Sequence, residues 1–113
     1  MKYKIFEGSV KSALENCLKE KYIPATIEQI YTLKKENPEI QKIWEEKLFD
    51  SRNAFNKETG EIRFLTLKEL KNIEKMYNNG WRLLFVGNNY CNGVLYAYDR
   101  LGNSGRFLGV KNK

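Results

Sequence analysis

The sequence contains no histidine at all. Without an imidazole there can be no Ser–His or Cys–His nucleophile pair, and no zinc site that relies on a histidine ligand. Cysteine is nearly as scarce: Cys17 and Cys91 form no CxxC pair and are too few for a structural zinc site. Buried free thiols in a reducing compartment are the expectation, with a single Cys17–Cys91 bridge as the alternative. Also missing is any run of about 18 apolar residues of the kind that spans a bilayer. The segment Met1–Gly8 has positive charge but lacks the apolar stretch of a secretory leader, so a cytoplasmic protein without a membrane partner is expected. Proline occurs only at Pro24 and Pro38, and there is no repeat or low-complexity linker. Residues 1–113 therefore read as a single domain.

Within those limits the composition is that of an ordinary globular protein, 42% hydrophobic and 30% charged. A chain of 113 residues is long enough to bury roughly two thirds of its unfolded surface in one core. Tyr3–Phe6 reads as a short opening strand, broken at Gly8. Ser9 then caps a helix with Val10, Ala13, Leu14, Cys17 and Leu18 on one face. Thr26 and Gln29 form a capping box for a second helix, and Asn37-Pro38 opens a third with Ile40, Ile43, Trp44 and Leu48 inward. Asn53–Phe55 and Glu61–Leu65, joined by the polar turn Asn56–Gly60, have the alternation of a hairpin. Thr66 and Glu69 cap a fourth helix that stops at Gly80. Trp81–Val86, Val94–Tyr98 and Arg106–Val110 complete the pattern as three strands joined by short Gly/Asn turns. The fold class is thus α+β: three N-terminal helices, a β-hairpin, a fourth helix, then a three-stranded antiparallel meander, around one core.

The charge is unevenly distributed along the chain. Residues 1–50 hold nine lysines and nine acids, whereas residues 51–113 hold six lysines and five arginines against five acids, which gives the whole net charge of +6. All five arginines, Arg52, Arg63, Arg82, Arg100 and Arg106, lie in that second half. A guanidinium forks onto phosphate or carboxylate in two parallel hydrogen bonds, so this bias points to an anionic partner. Trp81, Phe85, Tyr96, Tyr98 and Phe107 add rings to the same region, the pairing that single-stranded nucleic acid exploits. The leading expectation is a non-enzymatic binding module whose basic C-terminal half engages nucleic acid through Arg63, Arg82, Arg100, Arg106 and Lys111. No catalytic residue, metal ligand or cofactor is expected.

Three other readings compete. A protein-interaction module, either a homodimer or a factor bound to an acidic protein surface, suits the same arginines and rings. A metal-dependent nuclease would need Asp50, Glu58, Glu61 and Asp99 to converge. A winged helix with Arg52, Lys57 and Arg63 on the wing is opposed by Glu39, Glu45, Glu46 and Asp50 around the helix that would read DNA, because acid repels phosphate. Gly102–Arg106 and Asn88–Gly93 read as turns, not as anion-binding loops.

Overall fold

The first strand of the chain lies against the last, and this pairing organises the molecule. In the computed structural model, which describes residues 1–87, 101–111 and the backbone of 96–97, β1 (Lys2–Gly8) runs antiparallel to β7 (Gly105–Lys111) from Lys2 opposite Lys111 to Gly8 opposite Gly105. β7 also pairs with β2 (Ile23–Pro24) and touches β3 (Leu48–Asn56) in parallel at Asp50 and Phe107. β3 continues to β5 (Trp81–Gly87) and β6 (Tyr96–Ala97), while β4 (Ile62–Phe64) borders β3. The result is a mixed sheet of order β1-β7-β3-β5-β6.

Helices cover both faces of this sheet. Alternation along β7 sends Phe107 to one face and Leu108 and Val110 to the other. On the Phe107 face lie α1 (Val10–Lys19), α4 (Leu67–Lys71) and α5 (Ile73–Asn78), contributing Leu14, Cys17, Leu70, Ile73 and Met76. On the opposite face α2 (Ile27–Glu36) and α3 (Pro38–Glu46) bring Ile30, Leu33, Ile40 and Trp44 onto Phe49 and Val86. Each such side chain stabilises the fold by about 1.5–3 kcal/mol when fully buried. The interior of this compact α+β unit is therefore divided by its sheet into two apolar clusters.

Local signals set the helix boundaries. Ser9 accepts the Ser12 N–H at 3.1 Å, and both Thr26–Gln29 and Thr66–Glu69 form complete capping boxes. Asn53 Oδ1 accepts the Ile27 N–H at 2.9 Å and so occupies another open donor at the start of α2. Asn37 behaves differently from expectation: its side chain makes no N-cap bond to α3 and instead donates to the Leu33 carbonyl at 2.9 Å, closing α2.

The hairpin forms where the alternation placed it, with Asn53–Phe55 opposite Phe64–Ile62. Asn56 Oδ1 accepts the N–H groups of Glu58 and Thr59, and Asn56 Nδ2 donates to the Asn79 carbonyl, so the turn is locked to the end of α5. Gly80 sits there at φ +95, where an added Cβ would lie 2.5 Å from Glu58 Oε2. Only glycine fits that corner.

Four parts of the expected layout are corrected. The N-terminal helices do not pack as one group, because β2 separates α1 from α2 and sends them to opposite faces; a winged helix, which needs its three helices packed together, is not formed. The fourth helix is two, interrupted at Asn72, whose side chain donates to the Lys68 carbonyl. The last strands are not a meander: β7 leaves its sequence neighbour β6 to enter between β1 and β3. Leu48, assigned to a helix by its spacing, opens β3 instead.

β7 can take this position because Gly109 has no side chain. A Cβ there would meet Phe6 Cε2 at 2.8 Å, Tyr22 Cβ at 2.9 Å and Cys17 Sγ at 3.0 Å. Gly109→Ala is expected to lower stability by about 1–3 kcal/mol through overpacking of buried atoms that cannot withdraw. Urea denaturation of the two proteins checks this, and an unchanged midpoint would contradict the packing described.

Candidate nucleic-acid interface

The four described arginines do not assemble into one positive surface. Arg63 on β4 is gripped by Glu69, with two parallel bonds of 2.7 Å, and lies 3.5 Å from Glu61. Its guanidinium also stacks 4.3 Å from the centre of the Trp81 ring. That fork holds the Glu69 carboxyl down at about 2, mainly through the hydrogen bonds from Arg63. Arg82 is buried, donates to the carbonyls of Tyr77 and Trp81, and lies over the Tyr77 ring. Arg106 donates to Glu7 Oε2 at 2.5 Å and to the Leu48 carbonyl at 3.1 Å. Arg52 is half-buried and reaches the Leu65 carbonyl at 2.7 Å. Arg100 lies outside the described residues, as do Cys91, Tyr98 and Asp99. Arg63, Arg82 and Arg106 thus serve three separate parts of the fold, and their forked geometry is used on carboxylates and carbonyls of the chain itself.

Nor do the described carboxylates of the competing nuclease reading come together. Glu58 and Glu61 are exposed near the hairpin turn, whereas Asp50 is buried in β3. Among the described residues no group of three His, Cys, Asp or Glu side chains could hold a metal ion. Cys17 is a free thiol inside the α1 face of the sheet, and burial pushes its pKa up to about 12. Such a thiol is inert as a nucleophile.

Of the proposed residues that are described, Lys111 leads to a surface of concentrated positive charge. It is the last residue of β7 and stands opposite Lys2 of β1 in the antiparallel register. Lys4, two residues along the same strand, shares a sheet face with Lys2. Because α1 runs back along β1, its C-terminal end arrives at the same edge. There Lys4 Nζ meets Glu20 Oε1 at 2.6 Å, and Lys111 Nζ donates to the Glu20 carbonyl at 3.3 Å while lying 4.1 Å from the centre of the Tyr22 ring. Lys19 and Lys21 flank Glu20 and are exposed. The edge therefore carries Lys2, Lys4, Lys19, Lys21 and Lys111 around one acid, Glu20. Among the described residues Lys2, Lys19 and Lys21 have no ion pair.

The backbone beneath this cluster is unusual. After α1 the Tyr22 N–H donates to the Cys17 carbonyl and the Lys21 N–H to the Leu18 carbonyl, both at 3.0 Å. That pair of bonds defines a Schellman C-cap, which requires a left-handed residue at the position of Lys21. Lys21 adopts φ 68, and it is the only residue other than glycine with positive φ among the described residues. Glycine or asparagine ordinarily fills this position, because a Cβ in the left-handed region costs about 1–2 kcal/mol. The chain places a cation there instead.

The composition of the two sequence halves concealed this surface. Four of its five lysines come from the electrically balanced first half, whose remaining acids lie largely on α2 and α3. The alternation Lys2–Tyr3–Lys4 and the pair of lysines around Glu20 were visible in the sequence. Their convergence depends on the pairing of β1 with β7.

Asp50, near the start of β7 and away from the lysine edge, gives the fold a pH dependence. Desolvation pushes its carboxyl up to about 6, although Oδ2 accepts the Arg106 N–H at 3.0 Å. In the unfolded chain the same carboxyl titrates near 3.9, so the folded protein binds the proton more tightly between pH about 4 and about 6. Stability should therefore fall as pH rises through that window. Asp50→Asn is expected to flatten this slope and to raise stability at pH about 7 by about 1–3 kcal/mol. Denaturation curves across the window check it; a variant that retained the wild-type slope would exclude Asp50 as its source.

The chain matches no protein-family model, no curated protein and no solved structure.

Proposed function

We propose that the protein is a non-enzymatic module that binds the phosphate backbone of nucleic acid through Lys2, Lys4, Lys19, Lys21 and Lys111. The observation that carries this reading is the left-handed Lys21. A conformational cost is accepted at the one position of the cap where glycine would be free of it, and the side chain gained is an exposed ammonium among other ammoniums. Lysine is a compact point charge with three rotatable donors, suited to phosphate contact without sequence readout. The net charge of +6 favours the same class of partner over long range. Arg63, Arg82 and Arg106 have structural duties on this reading and drop out of the interface.

Fluorescence anisotropy with a labelled single strand and a labelled duplex, at low and raised salt, tests the proposal. Affinity should fall steeply with salt, and removing one lysine should reduce the logarithmic salt slope by about one. Lys2→Glu and Lys111→Glu should each weaken binding, while Arg63→Ala should leave the salt slope unchanged. Lys21→Gly should separate stability from binding, giving a protein more stable by about 0.5–1 kcal/mol that binds less tightly. Absence of binding at low salt, or binding indifferent to every lysine substitution, would refute the assignment.

A further inference from the structure

A second surface has the opposite character, and it does not rest on the lysine edge for its argument. Between α2 and β4 lies a groove of about 360 Å³. Its floor is the buried Leu33, and Phe64 and Met1 form apolar walls. Phe64 is 53% exposed and Met1 67% exposed, two of the four exposed large hydrophobics among the described residues. A third, Ile62, is two residues from Phe64 on the same strand and hence on the same face. Glu28, Thr32 and Glu36 recur every fourth residue along α2, so they form one stripe beside the apolar floor. The groove is lined by two carboxylates and by no lysine or arginine. In a chain of net charge +6 this is a local inversion of sign.

The inversion is maintained by the fold. Arg63 lies between Ile62 and Phe64 in β4, but alternation turns it to the other face, where Glu69, Glu61 and the Trp81 ring hold it. No guanidinium from β4 therefore enters the groove. β4 also pairs only with β3 among the described residues; on its outer edge the Phe64 carbonyl accepts from Arg63 Nη1 at 3.1 Å, and the Ile62 backbone remains for another extended chain.

We infer that this groove docks an extended segment of another protein that carries an apolar side chain next to lysine or arginine. The apolar residue would sit between Phe64 and Leu33, and the cations would meet Glu28 and Glu36. An open strand edge offers main-chain hydrogen bonds, and side-chain pockets give selectivity, the usual division of labour when a peptide adds to a sheet. Nucleic acid is disfavoured here by the two carboxylates.

A short labelled peptide of alternating leucine and lysine is the probe, with an alternating leucine and glutamate peptide as its counterpart. The lysine peptide should bind saturably at one site and the glutamate peptide should not. Phe64→Glu should reduce affinity at least about tenfold, as for a central apolar anchor. The double variant Glu28→Lys/Glu36→Lys should weaken the lysine peptide and begin to admit the glutamate one. Because these three side chains are exposed, circular dichroism and urea curves should confirm that the variants fold. Lys19→Glu, on α1, should leave peptide binding intact, so failure of the nucleic-acid reading would not bear on this result. The inference is overturned if the lysine peptide does not bind, if binding survives all of these groove substitutions, or if sedimentation shows that Phe64 instead mediates association of two copies of this chain.

Discussion

The antiparallel pairing of β1 with β7 is the constraint from which the rest of the architecture follows. It closes a loop of nearly the whole chain, and the entropy of that closure grows only slowly with loop length. What decides whether the pairing survives is therefore the packing over it. Phe6 and Phe107, opposite one another in the register, lie on the α1 side, while Leu108 and Val110 meet α2 and α3 on the other. Gly109 lets Phe6, Tyr22 and Cys17 approach the backbone between them. With both faces covered, β7 becomes the interior strand that a last strand in sequence seldom announces itself to be.

The same pairing decides where charge can collect. Lys2 and Lys111 are separated by almost the full sequence yet face one another across two strands. Like charges so placed repel, and a partner-free cluster would weaken the sheet edge. The end of α1 offsets this: its last carbonyls carry the negative end of the helix dipole, and Glu20 supplies both a carboxylate for Lys4 and a carbonyl for Lys111. The lysines also blunt an exposed strand edge, since charged side chains there discourage pairing with another sheet. That protective role and phosphate binding make different demands on Lys21, which is on no strand.

Much of the local structure was legible in the sequence. Ser9, Thr26 and Thr66 marked helix starts because side-chain acceptors there satisfy open backbone donors, a requirement that depends on a few neighbouring residues only. The Asn56–Gly60 turn and the strands beside it were legible for the same reason. Leu48 misled because an apolar residue at helical spacing fits either a helix or a strand, and the competition is settled by tertiary contacts. The position of β7 was illegible because the alternation of Arg106–Val110 reports two faces without naming neighbours. For the candidate site, the arginine bias was visible, but what each guanidinium meets was not. A residue type selected for forked hydrogen bonds serves an internal carboxylate as well as an external phosphate, and only the position of Glu69 or Glu7 tells which.

Segregation of charge in space, as distinct from its sum along the sequence, is what permits one small fold to present two unlike surfaces. The α1 face of the sheet ends in ammoniums, whereas the α2 face carries Glu28 and Glu36 beside exposed rings and methyls. Each surface repels the ligand suited to the other, so specificity arises partly from exclusion. On this argument the modest overall charge understates both sites, because Glu28 and Glu36 at the groove lower the same sum that the lysines at the edge of β1 raise.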